Sequence, residues 1–199
     1  MVVSRGAWVA VPALALATVL VAGCGLPGPA TGAGGGGAAP ARNVGATPKV
    51  TLSAPASLGS WRQPADQSVA GSLAGAFTDA KSTFGVQYQQ TGEPPRTLIV
   101  LGGLAARFQP EDETIQEDAF YAALNKRLGA SRPGVPKWVD GHIGGKSACA
   151  RTDSRGTAYA VCTWLGPGVL IAFLFPGAEV DAAAREMEPL VGEFLTISP

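Results

Sequence analysis

The chain predicts an α+β fold: a mainly antiparallel sheet of about seven strands, with three helices packed on it and one disulfide. Three observations carry this. Segments of period two and period 3.6 follow in the order β-α-β-β-α-β-β-β-β-α, and the turns between neighbouring strands are too short for parallel crossovers. Cys149 and Cys162 stand at mirrored positions about a turn. Val169 to Phe175 (VLIAFLF) is apolar throughout, as a buried central strand should be.

Residues 1–23 have the parts of an export signal. Arg5 supplies the positive end, Ala7 to Ala22 carries no charge, and Ala22-Gly23 are small enough for a peptidase. The uncharged run has 16 residues, counting 7 through 22. As a helix it spans about 24 Å, short of a bilayer core of roughly 30 Å. Pro12 weakens it further as a span. The next residues, Leu20-Val21-Ala22-Gly23-Cys24, resemble the lipobox of bacterial lipoprotein precursors. The resemblance implies diacylglyceryl transfer to the Cys24 thiol, cleavage after Gly23 and acylation of the new amino terminus. Two or more acyl chains hold a protein firmly where one does not. The expected location is therefore the extracytoplasmic face of the cell membrane. Plain secretion and a retained helical anchor are the alternatives.

Gly25 to Thr47 (GLPGPATGAGGGGAAPARNVGAT) has no hydrophobic period and reads as a linker belonging to a segment 24–47. As a flexible chain its ends lie about 25–30 Å apart. Residues 48–199 form a single domain, long enough to bury a core. The whole chain has 15 basic and 15 acidic residues, and without Arg5 the balance is 14 to 15. Such neutrality, with no basic patch, argues against nucleic acid as a partner. The high Ala, Gly, Pro and Arg usage resembles proteins of high-GC actinobacteria.

Within the domain, Lys49 to Leu58 alternates Val50, Leu52 and Ala54 and predicts a strand, with Trp61 in a following loop that caps the core. Gln67 to Lys81 predicts a helix with Val69, Leu73, Ala76, Phe77 and Ala80 on one face. Gly71 and Gly75 weaken it, each by roughly 1 kcal/mol relative to alanine, and should admit a neighbouring backbone. Thr83 to Gln89 alternates Phe84, Val86 and Tyr88 and pairs as a hairpin with Arg96 to Leu101. Gly102-Gly103 is expected to break the chain. Pro110 to Leu128 predicts a second helix, regular from about Glu113, with Phe120, Tyr121, Leu124 and Leu128 as its stripe and Ile115 off it. Its acids, Glu111-Asp112-Glu113 and Glu117-Asp118, read as complements to the positive helix end, with Lys126-Arg127 complementing the other. A cation site is the alternative, but no EF-hand spacing is present.

Gly129 to Pro136 is a connector, and Lys137 to Ile143 a short strand. Asp140-Gly141-His142-Ile143-Gly144-Gly145-Lys146-Ser147 comes close to a P-loop, but Asp140 occupies the position of the first glycine, so no nucleotide is expected. Ser147 to Thr152 and Thr157 to Leu165 form a hairpin about Asp153 to Gly156. Cys149 and Cys162 face each other across it, an even pair outside the cytoplasm, which predicts a structural disulfide. Gly166-Pro167-Gly168 turns into the apolar strand, and Ala178 to Thr196 is the last helix. Val180, Ala183, Ala184, Met187, Leu190, Val191 and Phe194 share its inner face, and Pro189 lies opposite.

Gly144-Gly145-Lys146-Ser147-Ala148-Cys149, Cys162-Thr163-Trp164, the apolar strand and the last helix resemble the C-terminal half of uncharacterised actinobacterial membrane proteins and lipoproteins. The element order is loosely similar to PsbP/Mog1-like lipoprotein domains. Neither resemblance implies an activity.

Chemistry is sparse. His142 is the one histidine, so any Ser-His-Asp set would be built on it, and no Gly-x-Ser-x-Gly elbow exists. Asp140, Asp153 and Glu93 lie in or near loops, with nothing to pair them for glycosidase work. Trp61, Trp138 and Trp164 read as core and rim. No cofactor or metal is expected. The sequence therefore favours a lipid-anchored, non-catalytic module that binds a small apolar ligand or an envelope protein. A small envelope hydrolase using His142 and a structural accessory subunit are the alternatives.

Overall fold

The computed structural model describes residues 49–106, 113–132, 134–139 and 145–198. The leader, Cys24 and the linker lie outside the described residues, as do Glu111, Asp112, Asp140 and His142. The elements in chain order are β1 (Lys49–Leu52), β2 (Ser57–Leu58), β3 (Trp61–Arg62), α1 (Ser68–Ala74), β4 (Ala80–Gln90), β5 (Arg96–Ala105), α2 (Glu113–Leu128), β6 (Ala130–Arg132), β7 (Lys137–Val139), β8 (Lys146–Ser154), β9 (Thr157–Gly166), β10 (Val169–Pro176), α3 (Val180–Phe194) and β11 (Leu195–Ser198). No helix among them is long and apolar enough to cross a membrane.

The fold is α+β, and every described strand pair is antiparallel. One nine-stranded sheet runs β2-β3-β4-β5-β10-β9-β8-β6, with β7 also paired to β8. The apolar run 169–176 lies in its middle, hydrogen-bonded to β5 on one side and β9 on the other. Side chains alternate across a strand, so each central strand feeds two cores. Leu98, Val100, Cys162, Ile171 and Phe173 point to the side covered by α3. Ile99, Leu101, Val161, Leu170 and Leu174 point to the side covered by α1 and α2. A strand apolar at every position is what a sheet with helices on both faces requires. The predicted inner face of α3 is correct in outline: Ala183, Met187, Val191 and Phe194 are buried, and Pro189 faces outward.

Cys149 and Cys162 are direct cross-strand partners in β8 and β9, with Cα atoms 4.0 Å apart, and form the predicted disulfide. Both are fully buried on the α3 side.

Five expectations are corrected. The first helix is shorter than 67–81: α1 has seven residues, Ala80 already belongs to β4, and Val69 is 52% exposed. Two glycines in so short a segment leave little propensity to extend it. The close approach also falls elsewhere. Gly71 has nothing near it, whereas a Cβ on Gly85 of β4 would lie 2.1 Å from the Ala70 carbonyl oxygen. Gly85 is thus what lets α1 lie against the sheet. Gly102-Gly103 does not break the chain, because β5 runs through both to Ala105. The Phe84 and Phe77 rings occupy the space where their side chains would be, 2.2 and 2.5 Å from the ideal Cβ positions. Finally, the first strand is divided, and the last helix stops at Phe194. Lys49–Leu52 pairs with Leu195–Ser198 as a separate ladder beside the α3 core, and only Ser57–Leu58 joins the main sheet.

The Gln67 side chain extends this edge of the sheet. Its Nε2 donates to Gln87 O at 3.1 Å, and its Oε1 accepts from Gln87 N at 2.6 Å. The amide therefore imitates a neighbouring strand and fastens the start of α1 to β4.

Candidate functional site

Helix α2 has one side on the sheet and one side on an open cleft. Extending the predicted stripe one turn backwards from Tyr121 reaches Glu117, and the structure buries it with the apolar residues: 4% of Glu117 is exposed. Its reading as a complement to the positive helix end did not foresee this burial. A buried carboxyl requires partners. Glu117 Oε1 accepts from Thr163 Oγ1 of β9 at 2.6 Å. Thr163 Oγ1 also lies 3.2 Å from Ala148 O and 3.4 Å from the Tyr121 hydroxyl. That hydroxyl is 3.4 Å from Val161 O and 3.5 Å from Ala148 O. Loss of water pushes the Glu117 carboxyl above its ordinary range, opposed by the Thr163 hydrogen bond, raised further by Asp118 and lowered by Lys146. Tyr121 is raised as well, chiefly by burial.

The network has a partner for every proton in both ionisation states. With Glu117 ionised, Thr163 donates to it and Tyr121 donates to Thr163 or a strand carbonyl. With Glu117 protonated, the carboxyl donates to Thr163 Oγ1, Thr163 turns to Ala148 O, and Tyr121 turns to Val161 O. The cluster can therefore hold or release one proton without leaving a buried group unsatisfied.

The cleft opens beside the same helix turns, with a volume of about 580 Å³. Its α2 wall is Ile115, Gln116, Ala119 and Phe120, and its opposite wall comes from the chain entering β4 and the ends of β5 and β10. Phe77 and Phe120 meet within it, ring centroids 4.7 Å apart. Ile115, predicted off the stripe, is 67% exposed at this wall. The polar groups are few: Asp79, Thr78 and Gln116. Main-chain bonds from Ala106 N to Asp79 O (3.2 Å) and from Ala105 N to Gly168 O (2.9 Å) tie the adjoining segments together.

The other sequence candidates are dispersed. Asp153 pairs with Arg151, its Oδ1 3.4 Å from Nε, and Glu93 is exposed in the turn after β4. Trp61 and Trp164 are buried, the former beneath the Arg96 guanidinium at 5.3 Å, whereas Trp138 is 59% exposed on edge strand β7. His142, on which the hydrolase alternative depends, falls outside the described residues. Sequence reasoning missed Glu117 as a buried group, although the stripe spacing contained the signal. Whether an apolar cleft opens between sheet and helices was left undecided by the sequence, because the cleft's walls are far apart in the chain. No protein-family model, no curated protein and no solved structure matches this chain.

Proposed function

We propose that this protein is a lipid-anchored extracytoplasmic module that binds a small apolar or amphipathic ligand in the cleft beside α2. The cleft itself is the observation that supports the reading. Its volume of about 580 Å³ is within the roughly 300–1,000 Å³ usual for ligand pockets. Its surface combines apolar walls and an aromatic pair with a few polar groups, the composition such pockets share. The Leu20 to Cys24 segment supports the anchor.

Photolabelling in native membranes with an apolar diazirine probe tests the ligand. Labels should concentrate on peptides containing residues 76–80 and 115–120, and Ala119→Trp, which fills the cleft, should remove them. Labelling unchanged by Ala119→Trp would dispose of the reading. The anchor is tested separately: Cys24→Ala should move the protein out of the membrane fraction, and unaltered retention would count against lipidation.

A further inference from the structure

The far end of α2 borders a second hollow, of different chemistry. A groove of about 460 Å³ runs between α1 and the β8–β9 turn. Leu73, Ile99 and Leu128 give it an apolar base, and Arg127 and Arg155 stand at its sides. Both guanidiniums rest over bare backbone. A Cβ on Gly75 would lie 2.5 Å from Arg127 Nη2, and one on Gly129 would lie 3.7 Å from Arg155 Nε. Arg127 Nη1 also donates to Ser72 O at 3.1 Å, which fixes it across the gap between the helices. Arg155 occupies the turn at φ 48, followed by Gly156 at φ 82. Two successive positive φ values make the tight hairpin turn that suits twisted strands, and this turn brings Arg155 to the groove.

A helix C-terminus attracts cations, but its macrodipole amounts to only about half a negative charge. Lys126 and Arg127 in the last turn already exceed that. The groove itself is lined by two cations, Arg127 and Arg155, and by no described carboxylate. The acids on adjoining segments are otherwise engaged. Asp153 Oδ1 is 3.4 Å from Arg151 Nε, and Asp66 Oδ1 accepts from Ser68 N at 2.9 Å. Among the described residues Arg155 has no ion pair. Ser72, Thr157 and Tyr159 also line the groove.

We propose that this groove binds a phosphate ester, with the phosphate between Arg127 and Arg155 and the ester's apolar part on Leu73, Ile99 and Leu128. Guanidiniums suit this role because they present paired N–H donors to phosphate oxygens. The hydroxyls of Ser72, Thr157 and Tyr159 add neutral donors. The chemistry is shared by a soluble organophosphate and by a phospholipid headgroup. The groove shares no lining residue with the cleft and binds its ligand whether or not the chain is anchored.

Binding is measured with the full chain in neutral-detergent micelles, using phenyl phosphate and inorganic phosphate, and in a second arm with phosphatidylcholine vesicles carrying phosphatidic acid or phosphatidylglycerol. Saturable binding of phenyl phosphate, tighter than inorganic phosphate and weakened by salt, is expected, and Arg127→Gln/Arg155→Gln should weaken it at least tenfold. Because Arg127 also holds α1, Arg155→Gln alone is the second variant; it should cost severalfold in affinity and leave Tm unchanged. Saturable binding of phenyl phosphate assigns a soluble ester. Binding only of phosphatidic acid vesicles, again weakened by Arg155→Gln, assigns a headgroup. No saturable binding in either arm would overturn the proposal, as would equal binding by Arg155→Gln and wild type, or equal attraction to both anionic lipids irrespective of Arg155.

Discussion

Glu117 of α2 and Thr163 of β9 share a 2.6 Å hydrogen bond inside the core, where an apolar pair would be the ordinary occupant. The bond joins the helix that walls the cleft to the sheet beneath it. Its worth depends on which partner holds the proton.

The first prediction is therefore a pH dependence. Burial raises the Glu117 pKa above its ordinary 4.5, so the folded chain binds this proton more tightly than the unfolded chain. The resulting stabilisation is complete below pH 4.5 and is lost as the pH rises through the raised value. Glu117→Gln keeps the shape, can donate to Thr163, and cannot ionise. The stability of wild type minus that of Glu117→Gln should fall with rising pH over this window, measured by urea unfolding. Parallel curves would contradict the assignment. Thr163→Val, which strips the carboxyl of its donor, should cost about 1–3 kcal/mol at neutral pH.

The disulfide supplies the second. Cys149 and Cys162 close a loop with a sequence separation of 13. Replacing both with alanine should lower stability by about 3 kcal/mol in the chain-entropy view, seen as a lower urea midpoint under oxidising conditions. A double variant as stable as wild type would show that the bond adds nothing to the strand pairing.

A third concerns how α1 is seated. The missing Cβ of Gly85 leaves room for the Ala70 carbonyl, and the Gln67 amide binds the same strand. Gly85→Ala forces helix and sheet apart and should destabilise by about 1–3 kcal/mol. Gly71→Ala meets nothing within 4 Å and sits inside a helix, so it should be neutral or stabilising by up to about 1 kcal/mol. Thermal melts of the two variants should diverge in sign.

A fourth separates packing from polar fastening on the α3 side. Phe194 contacts the rings of Phe84, Tyr88 and Phe173 at centroid distances of 5.7, 6.3 and 5.8 Å. Phe194→Ala should cost about 3–5 kcal/mol. Tyr88→Phe removes only the hydroxyl that donates to Pro55 O at 2.6 Å and should cost about 0.5–1.5 kcal/mol. The ratio of the two losses in denaturant unfolding is the test.

Much of the fold was readable in local patterns. The hairpins 83–101 and 147–165, the central strand 169–175 and helix α2 from Glu113 all depend on spacing within a few residues of the chain. So does the disulfide, because a short hairpin places Cys149 against Cys162 with little freedom. Two of the errors occur where a distant group intervened. Gly102-Gly103 reads as a break until the Phe77 and Phe84 rings supply what the glycines lack. Leu195 and Thr196 read as the end of the last helix until β1, at the other end of the domain, offers them a strand partner.

The class α+β, the antiparallel hairpins and the cysteine pairing follow from the chain's local order, because period, turn length and loop closure are short-range properties. The division of the helices between two faces, the enclosure of Glu117 beside Thr163, and the cleft and arginine-lined groove that flank α2 emerge only in the folded chain. Each of these depends on which strands become neighbours. Such adjacency arises from the burial of many side chains at once, and no local spacing encodes it.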